Sequence, residues 1–432
     1  MVENNENIEI NEDFKEVLDL VENSDKSMLV TGRAGTGKST LLEYIREHTK
    51  KRVVVLAPTG LAALNIEGQT LHSFFRFPPH IIDPHDIKKV YSGIYKIADA
   101  IIIDEISMVR ADLLDAIDVF MRMNGREPNK PFGGVRMFFF GDLYQLPPVV
   151  ESQDGAVLNK VYSSPYFFDS KVMKSFPIEI INLTKVYRQK DPLFIEFLDK
   201  VRLGNIETKD LEIINNKVGE KKNEDAVIII PTNKVANFIN NEKLDKLSGK
   251  LYTYNAAVSG DFKIRGINLP VDLEFNLKKE ARVMFVKNDK NGQWVNGTLG
   301  KIIDLEDDNV KVELDDGTIV STGAVDWDKI KHEYEPESKR ILAKVTGKLT
   351  QIPLRLAWAM TIHKCQGQTL DNVHIDVSPG VWEYGHTYVA LSRCRTLEGL
   401  GLETKIWPND IKADYRVTDF LNKMMKKSTE RR

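Results

Sequence analysis

The sequence has little cysteine, almost no net charge and no long apolar run. Its 432 residues include two cysteines, Cys365 and Cys394. They lack metal-like spacing and read as reduced thiols, which excludes a disulfide framework and a cysteine-ligated zinc site. No stretch of 18 apolar residues occurs, so no helix is expected to span a membrane. The opening MVENNENIEI is acidic and polar, unlike a signal or transit peptide, and a cytoplasmic, nucleoid-associated location is the expectation. A net charge of −3 gives no overall argument for a nucleic-acid partner, so any such contact must come from a local basic stripe. The two ends carry charge of opposite sign and read as solvated tails.

What is present is concentrated first in residues 28–45, MLVTGRAGTGKSTLLEYI. An apolar run reaches a glycine, and Gly32, Gly37, Lys38 and Ser39 fit G-x-x-x-x-G-K-[ST]. A helical period follows in Leu41, Leu42 and Ile45. Strand, tight loop and helix N-terminus are the context this motif requires. Glycines let backbone N–H groups converge on phosphate oxygens, and the helix dipole adds positive charge there. Lys38 can reach the β- and γ-phosphates and Ser39 can ligate Mg²⁺. The chain therefore reads as a nucleoside-triphosphate-binding protein.

Upstream, residues 8–23 show a helical face of Phe14, Val17, Leu18 and Val21. Downstream, Val53 to Ala57 is a continuous apolar run, the pattern of a buried parallel strand, and Pro58-Thr59-Gly60 breaks it before a helix. Residues 69–98 are rich in aromatics, histidines and prolines. A metal site at His72, His80 and His85 lacks partners at ligand spacing, and the segment reads as a loop-rich insertion. Its aromatics either stack on bases or fill a small core. Ile101 to Ile103 read as a buried strand with Asp104 and Glu105 at its carboxyl end. There one carboxylate can hold Mg²⁺ and the next can activate water. Residues 111–123 read as a helix, and Met137 to Phe140 as a strand leading to Gly141-Asp142 and Gln145.

A second unit is expected from residue 178: strand, turn with Arg188, and helix, then strand Ala226 to Ile230, a Pro-Thr-Asn turn and another helix. Residues 282–345 alternate apolar and polar with turn signals such as Asp316-Gly317, the pattern of a small antiparallel β-domain. Leu354 to Thr361 fits helix or strand, and Val373 to Val377 reads as a strand. The polar loop His363 to Gln368 lies between them, and Tyr388 to Leu391 is helical ahead of Arg393 and Arg395.

Seven segments in order resemble a superfamily-one helicase, most closely the Pif family with RecD proteins as nearest relatives. They are GRAGTGKST, APTGLAALN with QTLHSFF, IIIDEISM, FFFGDLYQLPPV, LTKVYRQ, TIHKCQGQTLD and YVALSRCR, and the resemblance covers about residues 10–405. The segment ADLLDAIDVFMRMNGREPNKPFGG resembles that family's signature helix. The resemblance implies an α/β fold of two RecA-like P-loop domains. The first would span 1–177, with a short wedge-like insertion at 61–80. The second would span 178–281 and 346–432, with a small antiparallel β-barrel inserted at 282–345.

It further implies ATP and Mg²⁺ as cofactors. Catalytic roles fall to Lys38, Asp104, Glu105, Gln145, Arg188 and Arg393, with Ser39 and Asp104 on the metal. Nucleotide contacts fall to Gly32, Gly35, Thr36, Gly37, Lys38, Ser39, Thr40, Gly367 and Gln368. Contacts to single-stranded DNA fall to Thr59, His72, Ser73, Phe74, Thr232, Asn233, Thr361, His363 and Lys364. One departure stands out: Phe14 in INEDF occupies the place of an adenine-reading glutamine, which leaves stacking on adenine or a shifted alignment as the readings. The large terminal extensions of eukaryotic members are absent, as in a minimal bacterial or phage-type core.

The expected activity is ATP-dependent 5′→3′ unwinding of duplex, forked, G-quadruplex or RNA–DNA substrates in repair, recombination and telomere maintenance. Single strands and single/double-strand junctions are the expected partners, met by a monomer or a DNA-induced dimer. The alternative is a translocase, or a nucleotide-gated subunit of a repair complex. A metabolic P-loop kinase would not need a second α/β domain with two motif arginines.

Overall fold

A computed structural model describes residues 11–78, 80–150, 152–219, 226–262, 269–335, 337, 340–378, 380–381 and 383–429. In chain order the first half holds α1 (Glu12–Asn23), β1 (Ser27–Gly32), α2 (Lys38–His48), β2 (Val53–Ala57), α3 (Gly60–Asn65), β3 (Gln69–Thr70), α4 (Leu71–Phe75), α5 (Ile94–Ile97), β4 (Ala100–Ile103), α6 (Ala111–Asn124), β5 (Arg136–Phe140), α7 (Ser152–Val161) and β6 (Ile178–Leu183). There follow α8 (Pro192–Leu203), α9 (Glu212–Asn215), β7 (Val227–Ile230), α10 (Asn233–Lys246), β8 (Tyr252–Asn255), β9 (Ala257–Gly260), β10 (Glu274–Leu277), β11 (Arg282–Phe285), β12 (Leu299–Leu305), β13 (Val310–Leu314) and β14 (Ile319–Thr322). The chain ends with β15 (Val325–Glu335), β16 (Arg340–Gln351), β17 (Leu354–Leu356), β18 (Ala359–Thr361), β19 (Val373–Ile375), α11 (His386–Leu391), β20 (Leu400–Leu402) and α12 (Tyr415–Thr429). No helix among the described residues is long and apolar enough to cross a membrane.

The chain forms two compact units: Met1–Val186 with Lys329–Thr346 and Tyr415–Arg432, and Tyr187–Asp328 with Gly347–Asp414. In the first, a six-stranded sheet has the order β3-β2-β4-β5-β1-β6, and its pairings are parallel. The continuous apolar runs follow from burial on both faces. Leu29, Leu56, Ile101, Ile103 and Phe139 face one core, while Met28, Val30, Val55, Ile102 and Phe140 face the other. Asn11 caps α1, its side chain accepting from Phe14 N at 2.9 Å, and Phe14, Val17 and Val21 pack into the second of these cores.

Three expectations change here. The strand Ile178–Leu183 does not open the second unit: it pairs with β1 across its whole length, Ser27 opposite Ile178 and Gly32 opposite Leu183. Residues 415–429 are no solvated tail of the second unit. Their helix, α12, buries Val417 and Leu421 in the first unit's core, and Phe420 stacks on Phe168 at 4.5 Å. The segment 61–80 is not wholly an insertion, because β3 within it extends the sheet edge, Ala57 pairing with Thr70.

The helix α6 carries Asp112, Asp115 and Asp118, all buried. Asp115 accepts from Lys171 N and Val172 N at 3.0 and 2.9 Å, and Asp118 accepts from Phe132 N at 2.6 Å. These carboxylates satisfy backbone donors that would otherwise be orphaned, so the helix fixes two loops at once.

The second unit contains a four-stranded sheet, β18-β7-β19-β20, with parallel pairings, and α10 packs on β7 and β18. Leu354 to Thr361, open between helix and strand, is strand in two pieces, β17 and β18. The alternating region forms an antiparallel sheet, β14-β13-β12-β11-β17, around Val283, Phe285, Ile302 and Val312, with Trp294 stacked on Phe285 at 4.3 Å. Its limits differ from 282–345: β17 closes one edge, and Leu244, Tyr254 and Phe275 share its core.

Candidate nucleotide and nucleic-acid site

The loop between β1 and α2 is built for close approach. A Cβ on Gly32 would lie 2.7 Å from Leu183 O and 2.8 Å from Thr36 Oγ1, so β6 and the loop leave no room for a side chain. Gly35 and Gly37 hold φ of 79° and 80°, the left-handed region that glycine enters without strain. Thr36 is buried and donates to Arg33 O at 3.0 Å, while Ser39 is exposed and Thr40 half-buried in the first turn of α2. Lys38 folds back onto the loop, its Nζ donating to Gly32 O at 2.9 Å and Arg33 O at 2.8 Å.

Asp104 follows β4 directly, its N donating to Leu56 O at 2.9 Å and its Oδ1 accepting from Glu105 N at 2.9 Å. Burial pushes its carboxyl up to about 6, against the Glu105 N–H and the nearby Lys38 ammonium, which both favour the charged form. A buried carboxyl at this edge, with an exposed hydroxyl on Ser39, is a donor set of hard oxygens that suits Mg²⁺. Glu105 sits at φ 48°, in the left-handed region, as Glu67, Arg76, Phe132 and Glu280 also do. Gln145 is buried on the loop after β5, its N donating to Asp142 O at 3.0 Å.

In the second unit, Arg188 and Arg393 gather around the turn 365–369. Arg188 Nε donates to Thr369 Oγ1 at 2.8 Å, Nη1 to Ser392 O at 3.2 Å and Nη2 to Gly367 O at 3.2 Å. Arg393, fully buried, donates from Nε to Val389 O at 2.9 Å and from Nη1 to Gln368 O at 3.2 Å. Burial, with Arg393 beside it, lowers the Arg188 guanidinium to about 9.

The strand-binding candidates fall into one group per unit. In the first unit, the Ala57–Thr70 pairing sets Thr59, His72 and Ser73 just beyond the same sheet edge. Thr59 caps α3, accepting from Ala62 N at 3.2 Å, and Ser73 Oγ accepts from Gln69 Nε2 at 2.9 Å. Burial, then the Arg110 charge, lowers the pKa of His72. In the second unit, β18 pairs with β7, Thr361 opposite Ile230, so Thr232, Asn233, Thr361, His363 and Lys364 meet past the carboxyl ends of both strands. Thr361 Oγ1 donates to Asn233 Oδ1 at 3.5 Å. Thr232 caps α10 without using its hydroxyl, which is buried and has no partner.

The PIF1-like helicase family profile matches residues 7–212. The ATP-dependent DNA helicase Pif1 of Bdellovibrio bacteriovorus is 33% identical over 430 residues, spanning 96% of this chain and 92% of that protein. The chain belongs to the Pif1-like helicase family. It is a Pif1-family ATP-dependent DNA helicase. Bacteroides sp. Pif1 in complex with ADP-AlF4 has a similar fold, with TM-score 0.88 and 34% identity over 97% of both chains. Bacteroides Pif1 bound to single-stranded DNA gives TM-score 0.70 at 35% identity, covering 97% of this chain and 98% of that one. A structure of DNA unwinding at forked duplex by two coordinating Pif1 helicases gives the same TM-score and identity over 96% and 97%.

One site expectation fails in this Pif1-family chain, and one open reading narrows. Phe74 is buried with its ring edge-on to Phe75 at 4.9 Å and to Tyr95 at 5.3 Å, so it fills a core and offers no face to a base. Phe14 is buried against Leu41, Leu42 and Ile45, which removes it as a platform for adenine. Other contacts were not foreseen. Thr369 and Ser392 orient Arg188, and Ser392 O also accepts from Gln189 Nε2 at 3.1 Å. Thr369 and Ser392 stand inside the quoted motifs, but nothing in their spacing reveals that they serve an arginine.

Proposed function

We propose that this Pif1-family helicase moves 5′→3′ along single-stranded DNA, with each parallel sheet the core of a RecA-like domain and the antiparallel sheet an inserted barrel. The observation that carries the reading is the juxtaposition of Lys38, folded on its own loop carbonyls, with the buried carboxyl of Asp104. In this reading Ser39 and Asp104 would hold Mg²⁺, which would supply positive charge against the β- and γ-phosphates of ATP. Lys38 moves from the loop carbonyls to the phosphates, Glu105 takes the proton of the attacking water, and Gln145 senses the γ-phosphate. Arg188 and Arg393 act as arginine fingers on the transferring phosphoryl group, beside Gly367 and Gln368. Gly32, Gly35, Thr36, Gly37 and Thr40 complete the cradle. Thr59, His72, Ser73, Thr232, Asn233, Thr361, His363 and Lys364 hold the strand through its phosphates, giving affinity without sequence preference. Unpairing one base step costs roughly 1–2 kcal/mol, within reach of one ATP per nucleotide advanced.

Forks, G-quadruplexes and RNA–DNA hybrids are the proposed structured substrates, in repair, recombination and telomere maintenance, met by a monomer or by a pair assembled on DNA. The test is unwinding of partial duplexes bearing a 5′ or a 3′ tail, with wild type, Lys38→Ala and Glu105→Ala. The reading expects unwinding from the 5′ tail alone, lost in both variants while single-strand binding persists. Unwinding from the 3′ tail, or full ATP hydrolysis by Glu105→Ala, would sink it.

A further inference from the structure

Tyr144 precedes Gln145 in the loop that leaves β5, and its ring is part of the first unit's core. Its hydroxyl lies 3.0 Å from Thr418 Oγ1 on α12, a partner 274 residues further along the chain. Backbone bonds also hold the loop. Gly141 N donates to Val30 O at 3.2 Å, Tyr144 N to Asp142 Oδ1 at 3.2 Å and Gln145 N to Asp142 O at 3.0 Å. The first of these bonds fixes only the start of the loop, and the other two lie inside it. The Tyr144–Thr418 bond joins the loop to α12 as well.

That element is itself firmly seated. Val417 and Leu421 are buried on either side of Thr418, and Phe420 stacks on Phe168. The Arg416 guanidinium lies 5.6 Å from the centre of the Tyr166 ring. A hydroxyl held this way can fix a neighbouring loop, because its own backbone has little freedom.

We propose that Tyr144 is a positioning residue for Gln145 and that α12 anchors it through Thr418. The proposal rests on reading Gln145 as the γ-phosphate-sensing amide. An amide that must meet both a terminal phosphate and an attacking water tolerates only about half an ångström of displacement. With its phenol held by packing and by Thr418, Tyr144 restricts the Gln145 backbone to that range. Without the bond the ring stays buried, but the loop gains freedom where the chemistry is sensitive to small shifts.

The experiment is steady-state ATP turnover on single-stranded DNA with the full chain carrying Tyr144→Phe, Thr418→Val, Thr418→Ser, Tyr144→Phe with Thr418→Val, and Gln145→Ala. Tyr144→Phe and Thr418→Val are each expected to lower kcat about fivefold, with KM for ATP unchanged and Tm lower by no more than about 4 °C, the stability worth of one net hydrogen bond. The double variant is expected to be no slower than the slower single variant, and Thr418→Ser, which keeps the hydroxyl, to turn over as wild type does. An unchanged kcat in Tyr144→Phe overturns the proposal. So do additive losses in the double variant, or losses confined to variants whose Tm falls by more than about 4 °C. If Gln145→Ala keeps wild-type kcat, the sensor reading fails and takes the proposal with it. If Gln145→Ala alone is impaired, the sensor reading stands and the positioning role falls.

Discussion

Arg188 and Arg393 grip the same turn at adjacent carbonyls: Arg188 Nη2 donates to Gly367 O, and Arg393 Nη1 to Gln368 O. Two guanidinium groups are thereby held close together, and Arg188 is desolvated enough to fall to about 9. Neighbouring cations removed from water disfavour each other's charge, and an anion relieves both. In the proposed mechanism the terminal phosphate of ATP is that anion.

Arg188→Lys keeps a positive charge but loses the planar fork that reaches Thr369, Ser392 and Gly367 together. ATP turnover is expected to fall on the order of 10³-fold, the usual worth of an arginine finger. Binding of a fluorescent ATP analogue, measured in parallel, is expected to stay within a few-fold of wild type. Loss of binding in step with turnover would assign Arg188 to ground-state contact instead.

Phe14→Ala removes a buried ring from the core behind the phosphate loop. Urea denaturation is expected to show a loss of about 3–5 kcal/mol. The ratio of kcat/KM for ATP over GTP is expected to stay as in wild type, because the ring is buried in the core it shares with Leu41 and Ile45. A collapse of that ratio in a folded variant would restore Phe14 to the nucleotide site.

Lys364 is held next to Arg355, and burial followed by that neighbouring charge lowers its pKa. Lys364→Ala is expected to weaken single-strand binding about equally for all sequences. It is also expected to reduce the slope of log K against log salt by about 0.7, the contribution of one phosphate contact on a single strand. Fluorescence anisotropy over a salt series reads both quantities, and an unchanged slope removes Lys364 from the backbone contacts.

His386 is fully buried, with its ring centroid 5.3 Å from that of His363. Burial first, then His363 and Lys412, lowers it from the ordinary 6.5 to about 4. The fold therefore keeps this imidazole neutral. As pH drops below 6.5 the unfolded chain takes up a proton that the folded chain refuses, so stability falls from 6.5 toward 4. Tm is expected to decline between pH 6.5 and about 5, above the range in which most carboxylates titrate, and to decline less steeply in His386→Phe.

The phosphate loop was legible because its chemistry is local. Gly32, Gly37 and Lys38 act within seven consecutive residues, and the flanking strand and helix show the right periods. Strands β1, β2, β4, β5 and β7 were legible as continuous apolar runs, since burial on both faces erases alternation, while β3 and β18 were not. The allegiance of Ile178–Leu183 was not, because an apolar strand carries no mark of its sheet, and only the pairing with β1 decides it. Phe74 illustrates the same limit. An aromatic beside a histidine and a serine is equally suited to a base or a core, and the rings of Phe75 and Tyr95 decide for the core. The arginines were found as motif members, while their partners depend on how residues near 188, 367 and 392 come together.

The placement of α12 bears on how the polypeptide matures during synthesis. Phe167 and Phe168 emerge from the ribosome about 250 residues before Phe420, the ring that covers them. Domains generally fold as units in the order they are made, yet the earlier unit here lacks α12 until the intervening second unit has been made. A prematurely terminated product ending before Tyr415 would bare that aromatic surface, making it a natural client for chaperones and proteases.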